Sequence, residues 1–355
     1  MNNNAPKMNL AISGAGRIGR AIFRIYHQNI ERFSHCRLVA MNDPHDFSTL
    51  THLLRYDSVH GTFPMDINYD GATNSLRVAD RAIQLCASRE PAQLPWQVMG
   101  VDCVLECTGR FKDRAGMQQH IDAGAQRVIL SAPAKGDLDA TVVLGANADV
   151  YHDDHRLISI GSCTTNALAP VLSIMKKLQP IESCFFTTVH AYTKDQSLVD
   201  SHHSDLRRAR AAQLSVVPTR TGAAKAIAQV MPELHGKVEG YALRVPTANV
   251  SLLDMVIYFP EAVSKEQVCQ HIESSVASSP YVTVNKEPLV SCDFNQNMSS
   301  AVIDLTQLQI NGRVVRVVAW YDNEWGYATR MLDMANIMAQ QLAGSCAAPV
   351  SLSHE

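Results

Sequence analysis

Short apolar runs alternate with amphipathic stretches through the first 150 residues. "MNLAISG" predicts a strand, "RIGRAIFRIYHQNI" a helix and "CRLVAMND" a second strand. "VDCVLECTG", "MQQHIDAGAQRVILSAP" and "ATVVLGAN" continue the alternation. Strand, helix, strand in that order implies a parallel sheet with helices on its faces. After residue 163 the texture changes. One helix, "LAPVLSIMKKL", is followed by long β-rich runs: "SCFFTTVHAYT", "GYALRVPTANVSLLDMVIYF", "SSAVIDLTQLQI" and "RVVRVVAWYD". Their length and short turns, Asn311-Gly312 among them, suit a largely antiparallel sheet. The chain closes on "ATRMLDMANIMAQQLAG", where Met331, Met334, Ala335, Met338 and Leu342 share one helical face and Gly344 reads as a stop. That helix is expected to return and pack on the first domain.

Composition narrows the classes. A chain of 355 residues has room for two domains, and 46% hydrophobic against 18% charged residues can bury a large core. A net charge of −3 argues against nucleic acid or anionic membrane as a main partner, since both need a dense positive face. No apolar run approaches the roughly 18 residues that would span a bilayer. The opening "MNNNAPKMNLAI" lacks the apolar segment of a secretory signal. Nine cysteines are scattered with no CxxC pair, so the chain reads as a cytoplasmic protein with reduced thiols and no metal site. The tails, residues 1–7 and 346–355, are expected to fray.

"AISGAGRIGRAIF" places GxGxxG at Gly14, Gly16 and Gly19, directly after a strand and opening a helix. In that setting the first glycine permits the tight turn. The second lets the backbone approach a pyrophosphate, and the third lets helix and strand pack closely. The helix N-terminus then faces the phosphates. Asp43, ending the second strand in "MNDP", has two readings. It either accepts hydrogen bonds from both hydroxyls of an adenosine ribose, which favours NAD over NADP, or is a solvated turn aspartate before Pro44.

"GSCTTNA" puts Cys163 just ahead of a helix. Cys163 is either a small buried hydrophobe or a thiolate held where a helix begins, since a helix N-terminus lowers a thiol pKa. His190, on a β-run 27 residues later, can face that helix start, so a Cys–His pair is geometrically possible. Ser162, Thr164, Arg208, Thr221, Gly222 and Arg244 add hydroxyls, amides and guanidinium groups, which are what phosphate oxygens need. Taken singly each is a cap or a surface charge. Taken as a set after a dinucleotide domain, they suggest a phosphorylated substrate.

"GAGRIGR", "LLRYDSVHG", "ECTGRF", "SAPAK", "SCTTNALAP", "TTVHAYTKDQ", "DLRRARAA", "TGAAKA", "RVPTANVS" and "WYDNEWGY" occur in that order between residues 14 and 327. On these motifs the chain closely resembles the phosphorylating glyceraldehyde-3-phosphate dehydrogenase family. The resemblance implies an α/β fold: a Rossmann parallel-sheet domain over 1–162, completed by a C-terminal helix 325–345, and an α+β catalytic domain with a mainly antiparallel sheet over 163–324. It also implies NAD, a homotetramer, and a sugar-phosphate aldehyde and inorganic phosphate as reactants. Carried over by motif, Cys163 is the nucleophile and His190 its base. Arg17, Ile18, Asp43, Arg89, Ser131 and Asn323 contact NAD, with Asn323 fixing the nicotinamide amide. Thr193, Asp195 and Arg244 match the pocket for the substrate's own phosphate. Ser162, Thr164, Arg208, Thr221 and Gly222 match the residues around inorganic phosphate. The implied chemistry is a thiohemiacetal on Cys163, hydride transfer to NAD with the proton going to His190, and release of the thioester by phosphate.

The chain departs from the family pattern in four places. Ser13 and Ala15 stand beside the pyrophosphate turn where an Asn and an aromatic are usual. Ala167 replaces a common second cysteine. Ser201 and His202 replace a Leu-Pro pair, and Arg220 adds a charge beside the phosphate loop. The nearest rival reading is erythrose-4-phosphate dehydrogenase, whose thioester goes to water. "DLDATVVLGAN", "SHHSDLRR" and "DFNQNMSSAVID" lean that way, whereas Thr193 and Thr221 lean toward the phosphorylating enzyme. A non-catalytic NAD-responsive or RNA-binding protein on this scaffold is opposed by the intact Cys163–His190 pair and the acidic balance. Aspartate-semialdehyde dehydrogenase is opposed by "TGAAKA" and Asp43. Ser201 and His202 lie where the family excludes NADP from a neighbouring subunit, so relaxed cofactor choice is expected. Steady-state turnover with NADP approaching that with NAD is the predicted result, and strict NAD use would rule it out.

Overall fold

The computed structural model describes residues 7–346; the tail residues 1–6 and 347–355 lie outside it. In chain order the first half gives β1 (Met8–Ser13), α1 (Arg17–Gln28), β2 (Cys36–Asn42) and α2 (Phe47–Arg55). A small ribbon, β3 (Tyr56–Asp57) with β4 (Gly61–Thr62), precedes β5 (Ile67–Asp70), β6 (Ser75–Val78) and β7 (Arg81–Cys86). Then follow β8 (Cys103–Glu106), α3 (Arg114–Asp122), β9 (Arg127–Leu130), β10 (Ala140–Thr141) and β11 (Leu157–Ser159). The second half gives α4 (Cys163–Leu178), β12 (Ser183–Ala191), β13 (Val217–Thr219), α5 (Ala223–Val230), β14 (Val238–Val245) and β15 (Ser251–Tyr258). It ends with α6 (Lys265–Ala277), β16 (Val282–Asn285), β17 (Ala301–Asp304), β18 (Gln309–Asn311), β19 (Val314–Tyr321) and α7 (Trp325–Cys346).

The first-half strands form one sheet in the order β10-β11-β9-β8-β1-β2-β7-β6-β5. Every pairing from β10 to β7 is parallel, and β7-β6-β5 extends the edge as an antiparallel meander. Parallel strands buried on both faces read as continuous apolar runs, and β8 (CVLE) is buried throughout. The second-half sheet runs β13-β14-β12-β15-β19-β17-β16, with β18 hairpinned on β19. The hairpin turn is Gly312-Arg313, with Gly312 at φ 58; Asn311, expected in the turn, instead ends β18 opposite Val314. The sheet is mainly antiparallel, but two pairings, β12 with β14 and β16 with β17, are parallel. "GYALRVPTANVSLLDMVIYF", one β-rich run by its texture, is two strands that sit on opposite sides of β12.

Two cores result. One joins β1, α1 and β2 to Trp325, Met331, Met334, Ala335 and Met338, so the last helix does return to the first sheet. The other packs α4, α5 and α6 on the second sheet. Gly344 is not a stop: α7 continues through it to Cys346. Glycine weakens a helix by roughly 1 kcal/mol but does not forbid it.

Within the first core His27 is buried, its Nδ1 2.8 Å from the Phe23 carbonyl, and burial pushes its imidazole down to about 4. The folded-state value lies below the unfolded one. The stability this neutral ring represents is therefore present above about pH 6.5 and is lost as pH falls toward 4. Between pH 7.5 and pH 5 His27 alone is expected to cost about 2 kcal/mol. Urea denaturation at the two pH values should show His27→Gln losing less stability than the parent; an identical loss would refute the assignment.

Candidate active site

The dinucleotide turn sits at the carboxyl end of β1. Gly14 has φ 96, and a Cβ there would lie 2.7 Å from the Thr108 backbone nitrogen, so only glycine closes this turn. A Cβ on Gly19 would fall 2.1 Å from the Gly14 carbonyl, which fixes how closely α1 approaches β1. Gly16, the N-cap of α1, has nothing within 4 Å of a built Cβ. No packing contact demands a glycine there, and the space it leaves fronts the helix N-terminus. The residues present therefore fit a pyrophosphate. Asp43, one residue past β2, brings its carboxylate to the same turn and accepts the Ala15 N–H at 2.9 Å. Its other oxygen lies 2.5 Å from Nδ1 of the exposed His45.

Ile18 packs half-buried on the first core. Ser131 follows β9 with its N–H on the Glu106 carbonyl, and Arg89 stands exposed after β7. These positions, with the turn and Asp43, lie at the carboxyl ends of parallel strands, where open α/β sheets place ligands.

Arg17 is placed differently from a free phosphate ligand. Its Nε donates to Glu324 at 2.8 Å, and its terminal nitrogens meet Glu324 and Asp57, each at 2.5 Å. Burial works against the charge, but Glu324 and Asp57 hold the guanidinium above its ordinary value. The loop N–H groups of His60 and Val59 and the Arg17 guanidinium outweigh burial at Asp57 and bring it down to about 2. His60, buried, lies 2.9 Å from Glu324. The Arg17 side chain therefore ties the first turn of α1 to the segment between β19 and α7. Asn323 precedes Glu324 in that segment, and its Oδ1 accepts from Ser251 Oγ at 2.8 Å. The same Ser251 hydroxyl accepts the Ala191 N–H at 3.1 Å, one residue from His190.

Cys163 is the first residue of α4. Ser162 caps the helix by accepting the Thr165 N–H at 3.1 Å. Tyr327 of α7 donates to the Gly161 carbonyl at 2.8 Å, and Gly161 turns at φ 72. Cys163 packs against both cores, at their seam. On β12 the two-residue period puts Cys184, Phe186, Thr188 and His190 on the buried face toward α4. His190 Nε2 comes 3.5 Å from Cys163 Sγ. Its Nδ1 lies 2.7 Å from the Ala191 carbonyl and 2.8 Å from Arg244 Nη1, because the parallel register pairs His190 with Arg244. Tyr321 stands behind the pair, its hydroxyl 3.1 Å from Thr164 and 2.7 Å from Thr188 and its ring edge-on to the imidazole.

Burial pushes the Cys163 thiol up, against the pull of the Arg244 charge and Thr164. Burial first and Arg244 second push His190 down to about 3. Burial at the seam thus works against the thiolate that the helix start, Thr164 and Arg244 favour.

Around them, Arg208 donates to Thr219 Oγ1, Asp195 and the Arg220 carbonyl. It also adds its charge to the field at His190 and Arg244. Asp195 is thus the carboxylate that holds Arg208. Thr221 accepts the Ala223 N–H at 3.2 Å beside Gly222, the N-cap of α5. The Thr193 carbonyl accepts the Gln196 N–H at 2.9 Å. Tyr321, Tyr327, Ser251, Glu324, Asp57 and His60 are not singled out by the sequence; each has a partner remote in the chain.

A family model described as glyceraldehyde 3-phosphate dehydrogenase, NAD binding domain, matches residues 8–114, and one described as its C-terminal domain matches residues 162–323. The glyceraldehyde-3-phosphate dehydrogenase of Pseudomonas aeruginosa is 46% identical over 330 residues, 93% of this chain and 98% of that protein. The chain belongs to the glyceraldehyde-3-phosphate dehydrogenase family. The enzyme of that name from Geobacillus stearothermophilus is 45% identical over 336 residues, 94% of this chain and 98% of that protein. Glyceraldehyde-3-phosphate dehydrogenase 2 of Bacillus subtilis is 44% identical over 340 residues, 95% and 98% of the two chains.

The Arg17–Glu324 tie is open to a double-mutant cycle. Arg17→Ala, Glu324→Ala and the double variant should show a coupling of about 1–2 kcal/mol in denaturation, reduced by the partial exposure of Arg17. Strict additivity would mean the ion pair contributes nothing.

Proposed function

We propose that this protein oxidises glyceraldehyde 3-phosphate with NAD and inorganic phosphate to 1,3-bisphosphoglycerate, through a thioester on Cys163. The observation that carries the reading is the 3.5 Å approach of Cys163 Sγ to His190 Nε2 at the seam of the two cores, in a chain of this family. Residues 1–162 with the helix 325–345 form the cofactor unit, and 163–324 the unit that carries the thiol chemistry.

NAD, when bound, supplies the hydride acceptor. The Gly14–Gly19 turn and the N-terminus of α1 hold its pyrophosphate, Asp43 its adenosine ribose, and Asn323 its nicotinamide amide, while Ile18, Arg89 and Ser131 line the same ends of the strands. Cys163 Sγ bonds to the aldehyde carbon as its proton passes to His190 Nε2 and on to the new alkoxide, giving a thiohemiacetal. When the hydride leaves with its bonding pair, His190 takes the hydroxyl proton and a thioester remains. The N–H of Cys163, at the helix start, is placed to donate to the oxygen that gains charge. Arg244, Thr193 and Asp195 line the pocket for the substrate's phosphate. Ser162, Thr164, Arg208, Thr221 and Gly222 position the inorganic phosphate that attacks the thioester carbon, breaks the C–S bond and leaves as the acyl phosphate.

A homotetramer belongs to this reading. Leu198, Val199, Leu206 and Leu214 of the 192–216 loop, with Phe185 and Tyr241 on the second sheet, are exposed apolar side chains that other copies of the chain would cover. So does a cytoplasmic location; among the described residues no helix is long and apolar enough to cross a membrane.

NADH production from glyceraldehyde 3-phosphate should be phosphate-dependent in steady state, with a single-turnover burst remaining when phosphate is withheld. Cys163→Ser is expected to lose at least about 10³-fold in turnover and to form no acyl adduct by mass spectrometry. Undiminished turnover in that variant would end the proposal, and faster, phosphate-independent oxidation of erythrose 4-phosphate would shift it to the water-using relative.

A further inference from the structure

β2 carries one residue too many for its neighbour. On β1, Leu10 pairs with Leu38 and Ala11 with Ala40, so Val39 is passed over as a bulge. A bulge bends its strand and interrupts the ladder. The pairing of β2 with β7 accordingly joins only Ala40, Met41 and Asn42 to Gln84, Leu85 and Cys86, and the two strands part before it. Tyr26, in the last turn of α1, fills the edge of β2 left behind. Its buried hydroxyl donates to the Cys36 carbonyl at 3.3 Å and accepts the Leu38 N–H. The tyrosine thus serves backbone groups that a neighbouring strand would otherwise serve. What remains between the parted strands is a cavity of about 440 Å³. That size falls within the range of small-molecule sites.

Three cations line the cavity and no carboxylate does: Lys7 just before β1, Arg37 of β2 and Arg81 of β7. Arg37 is anchored through Nε to Asn9 Oδ1 at 3.0 Å, which engages one edge of its guanidinium. Arg81 lies close enough to the Tyr26 hydroxyl to oppose the effect of burial on it, and its charge also reaches His27. Asp80, the acid beside Arg81, is 3.9 Å from its Nε with a side chain 90% exposed, so water screens that contact. In a chain of net charge −3, three like charges gathered at one cavity repel one another, and an anion between them relieves the repulsion. Guanidinium forks match phosphate oxygens, and Leu38, Val39 and Ala82 give the rest of the wall an apolar character. We infer that the cavity between the starts of β2 and β7 is a binding site for a small organic phosphate, its phosphate held by Lys7, Arg37 and Arg81 and its apolar part against Leu38, Val39 and Ala82. The site is separate from the dinucleotide turn. β2 leaves the cavity at its amino end and meets that turn only through Asp43, roughly 20 Å further along. None of the lining residues belongs to the thiol chemistry, so the inference stands apart from the proposed function.

The test uses the full chain saturated with NAD and the probe 1-naphthyl phosphate, an aromatic dianion, with inorganic phosphate and 1-naphthol as the arms that separate charge from body. Binding is measured by calorimetry, and its place by hydrogen exchange of the backbone. The parent should bind 1-naphthyl phosphate more tightly than either control and gain protection at residues 36–39 and 81–83. Arg37→Gln and Arg81→Gln should each weaken that binding by about tenfold, the size of one lost charge-assisted hydrogen bond. Both side chains are exposed, so both variants should keep the parent's rate of NADH production, which shows that they fold. No binding to the parent overturns the site, as does binding that both substitutions leave unchanged or protection confined to other segments. Inorganic phosphate binding as tightly as the probe overturns the organic part of the inference, and 1-naphthol binding as tightly overturns the anionic part. Each of these failures leaves the reaction at Cys163 untouched.

Discussion

The contact between Cys163 and His190 constrains the rest of the molecule because neither group can reach the other from its own element alone. The sulfur is fixed by the first turn of α4, where Ser162 caps the helix and Tyr327 holds Gly161 from the far end of the chain. The imidazole is fixed by the period of β12, which puts every second residue on the α4 side of the second sheet. A slip of one residue in that strand would turn His190 to the opposite face. The register with β15 and β14 on its two sides prevents the slip. The same two registers deliver Arg244 to the imidazole and Ser251 to Ala191, so the sheet positions the imidazole, its cationic neighbour and the support of Asn323 together.

A second constraint links the two cores. Asn323 belongs to the stretch that leaves β19, yet its neighbour Glu324 is held by Arg17 at the start of α1 and by His60 of the β3–β4 ribbon. The return of α7 to the first core continues this connection. A residue proposed to meet the nicotinamide is thereby referenced to the turn proposed to meet the pyrophosphate. The distance between the two ends of one dinucleotide is set through side chains rather than left to a hinge.

The fold was largely legible because its signals are periodic or punctuated. The GxGxxG turn after an apolar strand, the change to β-rich runs after residue 163 and the methionine-lined face of α7 each depend on neighbours a few residues apart. What was not legible depends on remote partners. "GYALRVPTANVSLLDMVIYF" has one texture, and only the tertiary arrangement sends its halves to opposite sides of β12. Gly344 looked like a stop because the rule is local, whereas the helix follows on from a long packed face. At the site, the residue types pointed to a cysteine–histidine pair beside phosphate-binding groups. They did not reveal that Arg17 would be occupied by Glu324 and Asp57, or Arg208 by Asp195, since an arginine's partner cannot be read from its own neighbourhood. The ionisation of the sulfur was the least legible feature. A helix start lowers a thiol and burial raises it, and which effect dominates depends on the packing of two cores that are far apart in sequence.

That balance also fits the chemistry. A thiol kept permanently ionised at a seam would be open to oxidation and alkylation whenever substrate is absent. Burial raises the thiol and lowers the imidazole, and so favours the uncharged form of each. It does so because it penalises thiolate and imidazolium alike. Burial also makes the pair responsive, since a charge brought close in a medium of low polarisability acts more strongly than it would in water. The seam position of Cys163 therefore does two things at once: it brings the sulfur against both cores, and it places the thiol where burial sets its proton affinity.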